Sequence, residues 1–253
     1  MPPALERLVF SLARAAEYFS TDELQAMTGQ PYEHFATALL KELLDNAADA
    51  CEAKVALERY AVTGETPGLL VGWHVDGDTD LTTIEVVDNG AGIPPTTVQR
   101  ILDFHTRTSD KLAYRSPTRG AMGNAWKTVF GMVQVLGGRA PVVIEAQGIR
   151  HTLVVTADPA GVVHVTHDQA EVPLQPGTRV TLQVPTGDQE CDPTHWGRAF
   201  AVFNPHLAVR ICQAPHHGSP YAHPGAREGP TAGIGTAPRS TFRGAGANTC
   251  RGI

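Results

Sequence analysis

The sequence predicts a mixed α/β domain, helices packed with short strands, on three observations. Apolar residues recur at helical spacing through most of residues 1 to about 60, a hairpin pattern occupies 68 to 87, and β-branched runs separated by Gly, Pro and Asp turns follow one another from 141 to 184. With 253 residues and 42% hydrophobic content, the chain is long enough to bury a real core in one large domain or two small ones. No apolar run approaches the ~20 residues that cross a bilayer, and the N-terminus lacks the basic-then-apolar pattern of a signal peptide, so a cytoplasmic location is expected. The cysteines, Cys51, Cys191, Cys212 and Cys250, form no Cys-x-x-Cys pair. Neither a zinc site nor a disulfide framework is expected, and the thiols should be reduced. A net charge of −6 argues against a generally basic nucleic-acid surface.

Residues 8 to 18 read as a first helix, and Ser20 and Glu23 have the spacing of a capping box that opens a second. Thr28-Gly29-Gln30-Pro31 interrupts it, and a third helix is expected from 32 through 58. The runs 69–75 and 82–87 flank Asp76-Gly77-Asp78, which predicts a hairpin. A helix follows over 95–104, then a polar loop over 105–120, then a helix from 124 to 136 whose start is glycine-rich. Runs at 141–146, 152–156, 162–166 and 178–184 predict a meander of strands. From 213 to 253 there are eight glycines and five prolines with little apolar periodicity, the composition of a disordered tail. The change is abrupt enough to suggest a truncated or frame-shifted end. The expected organisation is a helical arm over 1–30, a folded domain over 31–212 and a tail over 213–253.

Four short motifs could carry chemistry. On the third helix Leu40, Leu43, Leu44, Ala47 and Ala48 form a core stripe, while Glu42, Asp45, Asn46 and Asp49 recur on another face. Like charges at these spacings cost roughly 0.2–0.5 kcal/mol per pair unless a cation is brought in. Mg²⁺ takes one or two protein oxygens beside waters and phosphates, so an Asn amide with a Glu one turn away suits a metal-nucleotide site; a solvated acidic face is the plainer alternative. Asp88-Asn89-Gly90-Ala91-Gly92-Ile93-Pro94 ends the strand through 84–87, and it puts one carboxylate acceptor on a backbone that a purine ring can approach. Asp-Asn-Gly is also an ordinary turn signal. Gly120-Ala121-Met122-Gly123-Asn124 opens a helix with exposed N–H groups, an anion site suited to phosphate or simply a hinge. Ser109 and Lys111 lie in the polar loop before it and could reach phosphate if that loop closes, while Lys127 reads as a surface or partner residue. Finally, Gly177-Thr178 enters a strand, and its hydroxyl could hold the Asp88 carboxylate or a water on the purine. The histidines show no metal-ligand spacing.

Taken in order, Glu42-x-x-x-Asn46, Asp88-x-Gly90-x-Gly92, Gly120-x-x-Gly123 and Gly177-Thr178 resemble the four nucleotide motifs of the GHKL ATPases, the superfamily of gyrase B, MutL, the large heat-shock chaperone and the sensor histidine kinases. The segments 41–50 and 201–206 further resemble the B subunit of type IIB topoisomerases (topoisomerase VI), over roughly residues 10 to 211. The resemblance implies a Bergerat fold: a two-layer α/β (α+β) sandwich with a mostly antiparallel sheet on one side, helices on the other and ATP between them. It makes 31–212 an ATP-binding domain. Glu42 matches the general base that activates the attacking water, Asn46 the Mg²⁺ ligand and Asp88 the reader of adenine. Gly90 and Gly92 let the ring approach, Thr178 supports Asp88, and Asp49 and Ile93 are expected among the nucleotide-binding residues. Gly120 and Gly123 match the phosphate lid, and Ser109, Lys111, Ala121, Met122 and Asn124 are expected among the nucleotide-binding residues with them.

Histidine kinases usually carry Asn where Glu42 stands, so the carboxylate points to the hydrolase branch. The resemblance also implies a homodimer formed on ATP binding, and, as partners, DNA and the A-type cleavage subunit. Two departures stand out. The lid reads Gly-Ala-Met-Gly-Asn rather than the Gly-x-Gly-Gln-Gln-Gly of typical topoisomerase VI B subunits, and the sequence ends before the transducer domain that supplies the family's catalytic lysine. An ATP-binding interaction module with little turnover is therefore an alternative, as is a histidine-kinase-like phosphotransferase.

Overall fold

The computed structural model describes residues 15–104, 125–137, 140–187, 189–213 and 249–252. Helix α1 (Thr21–Thr28) stops at Gly29, whose φ of 67° only a residue without Cβ adopts readily. Its first residue follows Ser20, which has the extended backbone of an N-cap but makes no side-chain cap bond, so the expected capping box is not closed. A 3₁₀ turn at Tyr32–His34 leads into α2 (Phe35–Glu52), which buries Phe35, Leu39, Leu40, Leu43, Leu44, Ala47, Ala48 and Cys51, the stripe its apolar spacing requires.

The helix expected over 32–58 is in fact broken. Ala53 takes an extended backbone (φ −61°, ψ 140°) and α3 (Lys54–Thr63) starts again after it, with the Ala53 carbonyl accepting from Ala56 and Leu57 N–H. Neither Gly nor Pro marks this break. It turns α3 back toward the loop that follows the second strand.

Strands β1 (Gly68–Asp76) and β2 (Leu81–Asp88) form the predicted hairpin in an unbroken register from Leu69 opposite Asp88 to Asp76 opposite Leu81. Helix α4 (Pro95–Ile101) starts on Pro94-Pro95 and is shorter than expected. Helix α5 (Ala125–Val135) precedes β3 (Val142–Ala146), β4 (Ile149–Ala157), β5 (Val163–Glu171) and β6 (Thr178–Pro185). Two elements had no counterpart in the sequence reading: α6 (Pro193–Phe203) and β7 (Ala208–Gln213). The signal for α6 was present, because Asp192 Oδ1 caps Thr194 N at 2.9 Å and His195 N at 3.0 Å with Pro193 at the first helical position. Strand β8 (Thr249–Gly252) lies in the stretch expected to be tail.

The eight strands make one sheet in the order β5-β4-β3-β6-β2-β1-β7-β8, antiparallel everywhere except between β1 and β7. The expected meander holds only for β3-β4-β5, because β6 crosses to the far side of β3 and joins it to β2. One face carries Ile84, Val86, Ile144, Leu153, Val155, Val180, Leu182 and Val184 into a single core with α2, α5 and α1. The opposite face has a small cluster, Leu70, Val87 and Cys212, beside an ionic chain in which Arg179 bonds Glu85 and lies 3.5 Å from Glu145. Helices on one face of a mostly antiparallel sheet form the α/β sandwich that was expected. Cys212 is disulfide-bonded, against the expectation of reduced thiols, whereas Cys51 and Cys191 are free. Among the described residues no helix is long and apolar enough to cross a membrane.

Candidate functional site

Asp88 ends β2 at the middle of the sheet, flanked by β1 and β6, and only 4% of it is exposed. Its Oδ1 accepts from Gly90 N at 2.7 Å and Thr178 N at 3.2 Å, while Oδ2 takes no hydrogen bond among the described residues. Burial pushes its carboxyl up to about 7, against the opposing pull of the two backbone N–H groups and the Arg59 charge. A carboxylate fixed on one oxygen and open on the other is built to accept from an outside donor.

The proton on this group has a consequence for stability. The ordinary carboxyl value is 3.8 and the folded one about 7, so between them the folded chain holds a proton that the unfolded chain has lost. The stability tied to that proton is fully present below 3.8 and is lost as pH rises through about 7. Denaturant midpoints measured from pH 4.5 to 8 are expected to fall more steeply for the wild type than for Asp88→Asn, which has nothing there to titrate.

Glycines let the loop close on itself. A Cβ on Gly90 would lie 2.6 Å from Ala50 O, so the missing side chain there lets the loop pack against α2. Gly177 has φ 79°, and a Cβ there would overlap the Asp88 carbonyl and lie 2.7 Å from Asp88 Oδ1. Gly177→Ala is expected to cost about 3 kcal/mol, combining a left-handed alanine with an overpacked contact, read as a drop in the denaturation midpoint.

From α2, one turn before Ala50, comes Asn46. Its Nδ2 is buried with no hydrogen-bond partner, and so is Thr178 Oγ1 at the start of β6. Orphaned buried polar atoms cost about 1–3 kcal/mol each; Thr178 also bonds Asp88 through its backbone N–H, and Asn46 lies one turn from Ala50, which packs on the loop after Asp88, so a ligand is a natural partner for both atoms. One turn before Asn46, the half-buried Glu42 lies 3.7 Å from Lys41 Nζ, which also bonds Asp45 at 2.7 Å. The acidic face thus carries its own cation, contrary to the uncompensated stripe the spacing suggested. Burial works to lower the Lys41 ammonium, but Asp45 and Glu42 outweigh it and hold it above its ordinary value. Asp49 lies on the same helix, and Ile93 packs its half-buried side chain against the main core.

Sequence reasoning missed the residues that hold the loop after Asp88. Asn89 is fully buried; its Oδ1 accepts from Gly68 N at 2.9 Å and its Nδ2 donates to Thr66 O at 2.9 Å. From α3, Arg59 Nη2 donates to Asn89 O and Nη1 to Gly90 O at 3.0 Å, while Tyr60 Oη lies 2.8 Å from Asn89 O and 3.0 Å from its Oδ1. The Cys51 thiol, pushed up to about 11 by burial, sits against Gly68 O and Asn89 Oδ1. Nothing in the local sequence around Arg59 signals this contact.

Lys127, expected at the surface, is only 3% exposed on α5, with its ammonium 5.9 Å from the Phe104 ring centroid. Ser109, Lys111, Gly120, Ala121, Met122, Gly123 and Asn124 lie outside the described residues. Among those described, no group of three or more His, Cys, Asp or Glu side chains could hold a metal ion. Asn46 Nδ2 has no hydrogen-bond partner among the described residues, however, and an amide oxygen with a carboxylate one turn away on the same helix fits a Mg²⁺ held mainly by phosphates and water.

A protein-family model described as histidine kinase-, DNA gyrase B-, and HSP90-like ATPase matches residues 32–188, which run from the 3₁₀ turn before α2 to the end of β6. No curated protein matches the chain.

Proposed function

The chain belongs to the histidine kinase-, DNA gyrase B- and HSP90-like ATPase family, and from that premise we propose that it binds Mg²⁺-ATP with Asp88 reading the adenine and hydrolyses it with Glu42 as general base. ATP binding comes with the family; the residue roles are our reading of the site. The observation that carries it is the Asp88 carboxyl, tied through Oδ1 to two backbone N–H groups with no hydrogen bond to Oδ2 among the described residues, together with the orphaned polar atoms of Asn46 and Thr178. An ionised carboxylate accepts from the adenine N6 amine and would face the O6 carbonyl of guanine, so ATP is preferred over GTP.

Asn46 would hold Mg²⁺ through its amide oxygen, and the ion, when bound, offsets phosphate charge. Glu42, one turn earlier on α2, takes the proton from the water that attacks the γ-phosphate; that oxygen bonds to phosphorus as the bond to ADP breaks. Lys41 Nζ lies 3.7 Å from the Glu42 carboxyl. Thr178 N–H keeps Asp88 Oδ1 engaged, so the orientation of Oδ2 is set before nucleotide arrives.

Within the family, the resemblance to topoisomerase VI B subunits supports ATP-driven dimerisation, with an A-type subunit and DNA as partners. The two segments that carry it, 41–50 and 201–206, lie on α2 and at the end of α6, and His206 Nε2 at 2.8 Å from Glu52 Oε1 links the end of α2 to the start of β7. Phosphate release by the purified chain, with ATP or GTP and with Mg²⁺ or EDTA, tests the reading. Release that needs both ATP and Mg²⁺ supports it, and ATP bound without release leaves only the binding-module alternative.

A further inference from the structure

Two successive peptide units after Asp88 are pinned on both of their sides. In a planar trans peptide the C=O and N–H point in opposite directions. The Asn89–Gly90 unit gives its carbonyl to Arg59 and Tyr60, which sends its N–H to Asp88 Oδ1 at 2.7 Å. The Gly90–Ala91 unit gives its carbonyl to Arg59 Nη1 at 3.0 Å, and its N–H reaches Ala50 O, also at 3.0 Å. One guanidinium therefore sets both peptides. Arg59 lies on α3, which starts again after the break at Ala53.

We infer that Arg59, assisted by Tyr60, is a positioning and specificity-determining residue for the purine: it turns the Gly90 N–H onto Asp88 and keeps that side chain an acceptor rather than a donor. The inference rests on the reading of Asp88 as the base-recognising group. Its chemistry is simple. An ionised Asp88 accepts from an exocyclic amine, whereas a protonated one can donate to the O6 carbonyl of guanine. Removing the cation, or letting the peptide turn its carbonyl toward Asp88, moves the group toward the second state and relaxes selection of ATP over GTP.

The groups around Asp88 leave Arg59 as the cation that opposes this change. On α3, Tyr60 is pushed up by burial and stays a neutral hydroxyl. Helix α2, packed on the loop through Ala50, carries Asp49 and Cys51, an acid and a thiol raised to about 11. The neighbouring strands offer Leu69 opposite Asp88 on β1 and the Thr178 N–H on β6. Burial raises the Asp88 carboxyl and Arg59 pulls it down.

The test is calorimetric titration of wild type, Arg59→Met, Arg59→Lys and Tyr60→Phe with Mg²⁺-ATP and Mg²⁺-GTP from pH 6 to 9. In Arg59→Met the pH midpoint of ATP binding is expected to rise by about one unit, ATP affinity at pH 7 to fall about tenfold, and the ATP-to-GTP preference to shrink. Arg59→Lys, which keeps the charge and loses the fork, should keep the wild-type midpoint with weaker binding throughout. Tyr60→Phe removes one hydroxyl and tests the peptide orientation even if Arg59→Met fails to fold, with weaker ATP binding and a smaller midpoint shift expected. Variants that match wild type in midpoint, affinity and ATP-to-GTP ratio overturn the inference alone. Wild type that binds no adenine nucleotide overturns the reading of Asp88 and the inference with it.

Discussion

Glu42→Ala is expected to lower the rate of ATP hydrolysis by at least ~10²-fold while leaving ATP affinity within about threefold of wild type, because a positioned general base contributes ~10²–10⁴ to rate and little to ground-state binding. The geometry favours so clean a separation. Glu42 sits two turns of α2 from Ala50, the residue packed against the base-recognition loop, and is half-buried beside Lys41, so its removal opens no core cavity. Single-turnover phosphate release and equilibrium binding on the same preparation measure the two quantities. A Glu42→Ala protein that turns over like wild type would sink the assignment of the base.

Asp88→Asn should have the opposite pattern, with ATP affinity falling ~10²-fold or more and any remaining turnover following occupancy. An Asn keeps an oxygen to accept from Gly90 and Thr178 N–H, so the backbone around it survives. Its other atom becomes an N–H₂ donor facing the adenine N6 amine, which replaces a charge-assisted bond with two opposed donors. A charged hydrogen bond lost and a donor left unpaired together amount to about 2–4 kcal/mol, hence the expected factor. Folding should not suffer, because Asn has no buried charge to accommodate. The same amide can donate to O6 of guanine, so the loss for GTP should be smaller than for ATP. Fluorescence competition with both nucleotides reads this directly.

Much of the architecture was legible because it is local. The apolar spacing of Leu40, Leu43, Leu44 and Ala47 is a property of one helix, the β1-β2 hairpin of one turn, and Asp88 was marked by its place between a β-branched run and two glycines. What escaped depends on contacts distant in sequence. Ala53 breaks α2 from α3 with neither Gly nor Pro at the break, and the contacts that follow it, Arg59 and Tyr60 on the loop after Asp88, join residues about 30 positions apart. Strand β7 pairs in parallel with β1 across more than 130 residues, and no local pattern reports such a partner. Lys127 is amphipathic in composition, and its burial against Phe104 depends on how α5 meets the segment after α4. At Gly90 a side chain would meet Ala50 of α2, a contact 40 residues away that no local pattern reports. Asn89, read as part of a turn signal, is that and more: its side chain makes the hydrogen bonds that fix the turn to Gly68 and Thr66.

The decisive property of the site is whether Asp88 presents an open acceptor to adenine. Calorimetric titration of the wild-type chain at pH 8, where that carboxyl is ionised, with ATP and GTP in the presence of Mg²⁺ measures it most directly. Saturable binding of one ATP per chain, with GTP at least tenfold weaker and the ATP signal lost in Asp88→Asn, is the predicted result. Equal binding of the two nucleotides, or ATP binding that survives Asp88→Asn, contradicts it.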